Sequence, residues 1–278
     1  MLASETRSGL ADRLELAISL ARQVGRQAAA FRSKASAAAL QIQLKGAQDF
    51  VTIADKQAEF TIRSTLAAAF PGDSFVGEES GGQLDQGPCW VVDPIDGTTN
   101  FLRGFDHWGV SLALVSEGVI SLGVIYDASC DKVFYAQSGR GAFADGTAIH
   151  ASSNADPSRA MAMLGHSRRT GIGPYLATIE ALHAQGIDYR RMGAAAIGLL
   201  RVADGTAELY FERHLNSWDM LAAALIAQQA GAIVRLPTLE HCMARGGPVL
   251  AMAPGLSGHL EFLAQQVAAD GPQMDWPA

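Results

Sequence analysis

The sequence is short of the features that would place a protein outside the cell, in a membrane or on a nucleic acid. Its three cysteines, Cys89, Cys130 and Cys242, are odd in number, far apart and without a CxxC spacing. That argues against a disulfide framework and fits a reducing compartment. No apolar run approaches the roughly 20 residues of a membrane-spanning helix. Residues Met1 to Arg13 already carry Glu5, Arg7, Asp12 and Arg13, so no signal peptide is expected. Positive charge is scarce: 21 Lys and Arg stand against 28 Asp and Glu, a net charge of −7. Nonspecific attraction to nucleic acid or to anionic lipid is thereby disfavoured. The histidines, His107, His150, His166, His183, His214, His241 and His259, show no paired spacing, so zinc is not expected. Internal repeats and low-complexity tracts are also missing. What is left is globular composition, 49% hydrophobic and 18% charged over 278 residues, with length for a large core and a cytoplasmic location as the expectation.

What is there centres on Trp90-Val-Val-Asp93-Pro94-Ile95-Asp96-Gly97-Thr98-Thr99-Asn100-Phe101. The apolar run Cys89 to Val92 reads as a buried strand, and two carboxylates follow it three positions apart around Asp-Pro and Asp-Gly. Carboxylates aimed at one point repel unless a cation lies between them, and hard divalent ions such as Mg2+ take oxygen ligands. Gly97, Thr98 and Thr99 then offer small residues and N–H groups at a possible helix start, where an anion is favoured. A cation site and an anion site thus adjoin.

Elsewhere the pattern predicts a helix from Leu10 to about Phe31 and another running to Ala69 with Ala58, Ile62 and Leu66 on one face. Between them, Lys45 to Asp55 reads as a polar loop in which Thr52 and Asp55 resemble a capping box. Ser74 to Gly77 is a short strand ending on Glu78 and Glu79. Gly109–Val115, Val119–Tyr126 and Val133–Ala136 predict an antiparallel meander, and Phe143 to Thr147 a tight turn. Composition becomes polar near Ser152 to Pro157, which places a subdomain boundary there and divides the chain into 1–152 and 153–278. Beyond it strands (160–164, 187–191, 207–211, 232–236, 249–253) alternate with helices (175–184, 194–203, 218–229, 259–268), an α/β succession.

Acids therefore sit at element ends in four places: Asp49 and Asp55, Glu78 and Glu79, Asp93 and Asp96, and Asp219. Each alone has an ordinary structural reading as a turn or cap residue. Together, Gly77-Glu78-Glu79-Ser80, Asp93-Pro-Ile-Asp-Gly-Thr-Thr99 and Trp218-Asp219 resemble the inositol monophosphatase family of Mg2+-dependent sugar phosphatases. Lys45 to Asp55, Asp145-Gly146 and Gly193-Ala194-Ala195-Ala196 extend the resemblance nearly end to end.

The resemblance implies a fold of mixed α/β and α+β character, a layered αβαβα sandwich of the inositol monophosphatase/fructose-1,6-bisphosphatase type. Residues 1–152 would form an α+β part and 153–278 an α/β part, with the metals between them and closure of the two halves assembling the site. It implies two to three Mg2+ ions held by Glu78, Asp93, the Ile95 carbonyl, Asp96 and Asp219, with Asp93 bridging. Catalytic roles fall to Thr98 and Asp55, which orient or deprotonate an attacking water, and to Glu79, standing behind the metal ligands. Substrate would meet Gly97 and Thr98 N–H groups, Ala195 and Glu212. The stretch after Asp-Gly resembles the inositol branch, which implies myo-inositol 1-phosphate or a similar small phosphorylated polyol, inhibition by Li+, and a homodimer. Histidinol phosphate and fructose 1,6-bisphosphate are the alternative substrates, and a regulatory or interaction protein the alternative class. Departures lie on the substrate side: Gly198 stands where Asp or Asn is common, and Asn216-Ser217 precede the Trp-Asp pair. Arg190-Arg191 is either a substrate-anion contact or a solvated strand end.

Overall fold

The computed structural model describes residues 2–34, 43–46, 49–51, 53–84, 87–269, 271–274 and 276, with side chains described at 9–34 and from 53 onward. The expected Thr52 cap and the side chains of Lys45 and Asp49 lie outside the described residues. The chain opens with α1 (Leu2–Lys34), a small hairpin of β1 (Gln43–Gly46) and β2 (Asp49–Val51), and α2 (Ile53–Ala69). Next come β3 (Ser74–Gly77), β4 (Cys89–Asp96), the short helix α3 (Thr98–Arg103), and the strands β5 (Gly109–Ser116), β6 (Val119–Asp127), β7 (Lys132–Gln137), β8 (Ala142–Ala144) and β9 (Thr147–Ile149). The second half contributes β10 (Met161–Leu164), α4 (Ile172–Ala184), β11 (Asp188–Arg190), α5 (Ala195–Ala203), β12 (Leu209–Leu215) and α6 (Ser217–Gln229). It ends with β13 (Ile233–Arg235), α7 (Leu239–Arg245), β14 (Gly247–Met252) and α8 (Glu261–Ala268).

These elements stack in five layers. Helices α1 and α2 bury Ala17, Leu20, Ala21, Val24, Ala58, Ile62 and Leu66, spaced as one helical face each, against a seven-stranded sheet. That sheet runs β3 to β9 in chain order, with β3 and β4 parallel and its other pairs antiparallel. Its opposite face meets α5 and α6, which also cover a five-stranded sheet ordered β11-β10-β12-β14-β13. Leu182 of α4 and Leu263 and Val267 of α8 close the outer face of that second sheet. Because α6 is squeezed between two sheets it has no polar face: Met220 to Ala227 are all buried.

Gly123 makes this approach possible. A Cβ at Gly123 would lie 2.5 Å from the Ala222 carbonyl oxygen, so β6 and α6 touch backbone to side-chain-free backbone. Each sheet falls wholly on one side of residue 152, yet the middle core cluster runs from Val76 to Ala251 across both. We propose that 1–152 and 153–278 are two lobes sharing one core.

The structure departs from the sequence reading in four places. Helix α1 runs beyond Leu10–Phe31 at both ends, and α7 arises where no helix was expected. Where Lys45 to Asp55 reads as a polar loop, β1 and β2 pair as a hairpin, whereas the tight turn expected at Phe143 to Thr147 is present, Asp145 (φ 46°) and Gly146 (φ 81°) joining β8 to β9. Most consequential, β4 continues past Val92 through Asp93-Pro94-Ile95-Asp96, where turn residues predicted a loop.

If α6 sits on β6 as closely as Gly123 implies, Gly123→Ala costs about 1–3 kcal/mol in urea unfolding. Gly173→Ala in α4, where an added Cβ meets nothing within 4 Å, leaves stability level or raises it by up to about 1 kcal/mol. Equal stabilities for the two variants would refute the close approach.

Candidate active site

A bulge in β4 creates the site. Asp93 pairs with Ser111 and Asp96 with Gly109, so three steps along β4 match two along β5. In a regular strand residues three apart face opposite sides; the extra residue turns both carboxylates the same way. Pro94 lacks the N–H that an uninterrupted ladder would use, and Asp93 accepts the Ile95 N–H at 2.9 Å, holding the kink from within.

Three elements then deliver acids to one point. Oxygens of Asp93, Asp96 and Asp219 all lie within 4.8 Å of one another. Asp96 accepts N–H groups from the first turn of α5, from Ala195 at 3.0 Å and Ala196 at 2.9 Å, so a helix N-terminus from the second lobe grips a strand end of the first. Ala195, expected to meet substrate, gives its N–H to Asp96. Asp219 lies in the first turn of α6 and accepts the Asn216 N–H at 2.8 Å, so it caps its helix as well as joining the cluster. Two further bonds tie the lobes at the site: Asn100 Nδ2 donates to the Met192 carbonyl at 2.7 Å, and the Ser111 hydroxyl donates to the Trp218 carbonyl at 3.1 Å. No closure is needed to bring Asp219 to the first lobe.

Glu78 acts on Asp93 by charge and by a side-chain hydrogen bond. Its loop is fixed by a residue that the sequence reading passed over. Glu59 of α2, 4% exposed, accepts the Glu79 and Ser80 N–H groups, each at 2.8 Å. Gly77 makes room for it, since a Cβ there would lie 2.3 Å from the Glu59 carboxylate. The signal was present: Asp55, Glu59, Ile62 and Leu66 follow i, i+4, i+7, i+11 on the buried face of α2, and an acid on an apolar stripe marks a polar task.

Asp55, 1% exposed, faces Thr98, whose Oγ1 lies 3.3 Å from the Asp55 carboxylate and 3.1 Å from the Ile95 carbonyl. Gly97 turns the chain between bulge and α3 at φ 85°, and a Cβ there would press on Ala194 at 2.9 Å and the His107 carbonyl at 3.0 Å. On the other side a cavity of about 190 Å³ is lined by Asp96, Ala195, Gly198, Tyr210, Glu212 and Asp219 among others. Glu212 accepts the Tyr210 hydroxyl at 2.8 Å. Gly198 is explained by that tyrosine, because a Cβ at Gly198 would lie 2.5 Å from the Tyr210 ring.

Electrostatics sets what this arrangement can hold. Burial, then the neighbouring acids, pushes Asp93 well above the usual carboxylate range. Burial raises Asp96 to about 7 against the pull of its helix N–H groups, and burial with the Asp96 charge raises Asp219 to about 7. Glu212, also buried, is raised to about 8. Two full charges at this spacing repel by about 3 kcal/mol or more at an effective dielectric near 20. An all-oxygen donor set of this charge fits a hard divalent cation, and the cluster is built of carboxylates alone.

Residues 12–270 match the sequence model of the inositol monophosphatase family. The chain is 36% identical over 225 residues to the Nus factor SuhB of Vibrio cholerae, spanning 80% of this chain and 84% of that protein. It is 35% identical over 237 residues to the inositol-1-monophosphatase of Caulobacter vibrioides, spanning 83% and 92%. The solved extragenic suppressor protein suhB of Bartonella henselae superposes with a TM-score of 0.83 at 31% identity, covering 92% of this chain and 98% of that one.

Two measurements test the site. Between the unfolded carboxylate value near 3.9 and about 7, the cation-free fold retains protons on Asp96 and Asp219 that the unfolded chain has lost. That stability is complete below the unfolded value and is lost as pH rises through about 7. A cation needs those protons gone, so its affinity climbs over the same window. Saturating Mg2+ therefore raises Tm more at about pH 8 than at about pH 5.5; an equal gain at both would contradict the cluster. Glu59→Gln sets an NH2 against one of the two N–H donors, and is expected to weaken Mg2+ binding by calorimetry about 10–100-fold together with a modest fall in the cation-free Tm. Unchanged affinity would reduce Glu59 to a packing residue.

Proposed function

The chain belongs to the inositol monophosphatase family, and from that premise we propose that it is a Mg2+-dependent phosphomonoesterase acting on small phosphorylated polyols, myo-inositol 1-phosphate among them. The observation that carries this reading is the meeting of Asp93, Asp96 and Asp219 within 4.8 Å, beside the Thr98–Asp55 pair and a polar cavity. Asp93, Asp96, Asp219, Glu78 and the Ile95 carbonyl are the groups that would hold two to three ions. When bound, such ions supply the positive charge that activates water and steadies the departing ester oxygen.

The chain's own groups do the rest. Asp55, a buried acceptor on the Thr98 hydroxyl, fixes the direction in which that hydroxyl addresses a water and offers a sink for its proton. The Gly97 and Thr98 N–H groups, at the bend into α3, take the phosphate oxygens, and a glycine is required there to let the backbone come close. Glu212 meets a hydroxyl of the polyol; burial raises it to about 8, and the Tyr210 hydroxyl, donating to it, opposes that rise. Glu79 stands behind Glu78 on the loop anchored by Glu59. Relatives of similar identity bear the names inositol-1-monophosphatase and Nus factor SuhB, and the second favours an alternative in which the fold serves as a binding protein.

Phosphate release separates the two. With Mg2+, the protein is expected to hydrolyse inositol 1-phosphate in a panel with histidinol phosphate, fructose 1,6-bisphosphate and 3′-phosphoadenosine 5′-phosphate. Chelation abolishes release, millimolar Li+ inhibits it, and Asp93→Asn lowers kcat at least about 100-fold, the loss of several kcal/mol of charge stabilisation. Silence on all four substrates would favour the binding role, and full turnover by Asp93→Asn would remove the metal centre from the reaction.

A further inference from the structure

Tyr210 and Glu212 stand two apart on β12, so their side chains leave the same face of the strand, the one turned towards α5. Both are buried, at 2% and 7% exposure, and the Tyr210 hydroxyl donates to Glu212 Oε2 at 2.8 Å. Arg191 and Asp219 act on this carboxylate by charge. Its second oxygen, Oε1, accepts no hydrogen bond among the described residues and is not sealed from solvent. Glu212 lines the cavity of about 190 Å³ together with Asp96 and Asp219. One oxygen is thus taken by the protein and the other is offered to the cavity.

Two glycines clear the space for this pair. On the neighbouring strand β10, Met163 pairs with Tyr210, and Gly165 beyond it donates its N–H to the Phe211 carbonyl at 3.1 Å, alongside Glu212. A Cβ at Gly165 would overlap the Glu212 carboxylate and lie 2.8 Å from the Tyr210 hydroxyl oxygen. From the other side Gly198 seats the tyrosine, since a Cβ there would come within 2.5 Å of the ring. Gly198 belongs to α5, the helix whose first turn holds Asp96. The ring that aims Glu212 and the grip on the acid cluster are therefore registered to one rigid element.

A buried carboxylate kept only for packing would be replaced by an apolar side chain without loss. Here two side chains have been given up around it, and one of its oxygens faces the cavity.

We propose that Tyr210 is a positioning residue that sets which alcohol the site accepts: seated on Gly198, it locks one oxygen of Glu212 and leaves the other to meet a polyol hydroxyl at a fixed place. The inference rests on the phosphatase reading for the assignment of Glu212 to the alcohol end of the substrate. A phosphate ester without hydroxyls leaves the locked oxygen against carbon, and a site built to bond a hydroxyl rejects such an analogue strongly. The phosphate end does not sense the pair.

The test measures kcat and KM for inositol 1-phosphate and for cyclohexyl phosphate, the same ring without hydroxyls, in wild type, Tyr210→Phe, Glu212→Gln and the double variant. Tyr210→Phe keeps the ring on Gly198 and removes only its hydroxyl. It is expected to raise KM for inositol 1-phosphate about tenfold with kcat within about twofold, and to shift both constants for cyclohexyl phosphate less than about twofold. The double variant loses no more than Glu212→Gln alone, because Tyr210 acts through that carboxylate. Equal losses on the two esters, or additive losses in the double variant, would overturn the proposal. Should Tyr210→Phe fail to fold, Gly198→Ala displaces the ring with hydroxyl and carboxylate both kept, and wild-type discrimination between the esters there would overturn it as well. If wild type hydrolyses neither ester the phosphatase reading falls, and calorimetric binding of the same two esters decides the inference alone. A wild-type preference of about tenfold for inositol 1-phosphate that Tyr210→Phe abolishes upholds it; no preference, or one that survives the substitution, overturns it.

Discussion

Like charge gathered in a dry place is the constraint on which this molecule depends. Asp93 and Asp96 are 2% and 5% exposed, Asp219 joins them within 4.8 Å, and Glu78 adds its charge. Left to themselves these groups keep protons that carboxylates ordinarily lose. The rest of the fold holds them together against that repulsion, and a divalent cation relieves it. The same feature that destabilises the cation-free protein would give it affinity for a divalent cation, the usual exchange of stability for function.

The means of holding are local and backbone-based. A bulge aims two acids from one strand, the first turn of α5 grips Asp96, the first turn of α6 places Asp219, and a buried glutamate anchors the Glu78 loop. Glycines set the tolerances: Gly77 admits Glu59, Gly97 admits the bend, Gly198 admits Tyr210. The bonds from Ile95 N–H to Asp93 and from Ala196 N–H to Asp96 are fully buried, so each is stronger than its surface counterpart. Trp218 packs beside the cluster with its indole N–H buried and unpartnered, a cost carried next to the residue that the site needs.

Much of this was legible from the sequence. The acids at element ends follow from motif and period, whereas the Thr98–Asp55 partnership and the layered order of helices and strands came only through the family resemblance. What escaped did so for physical reasons. The strand through Asp93-Pro94-Ile95-Asp96 looks like a turn because Pro and Asp-Gly are turn residues; only the pairing partner β5 reveals a bulge. Glu59 hides because its carboxylate accepts from backbone N–H groups about twenty residues away, which no side-chain pattern announces. Gly198 looks like a departure in substrate contact until the Tyr210 ring is seen against it. Helix α7 is a short segment between two strands, capped by Thr238, whose hydroxyl oxygen accepts the His241 N–H.

The grip of α5 on Asp96 has a consequence for how the chain matures. Its partners stand about a hundred residues apart in sequence, and Asp219 arrives later still. Contacts of such separation form late, after the entropy of a long loop has been surrendered. During synthesis the first lobe must therefore wait with its acids unassembled until α5 and α6 slot between the sheets. A centre assembled from all three aspartates would thus mark complete folding, since a chain cut short before α6 lacks Asp219.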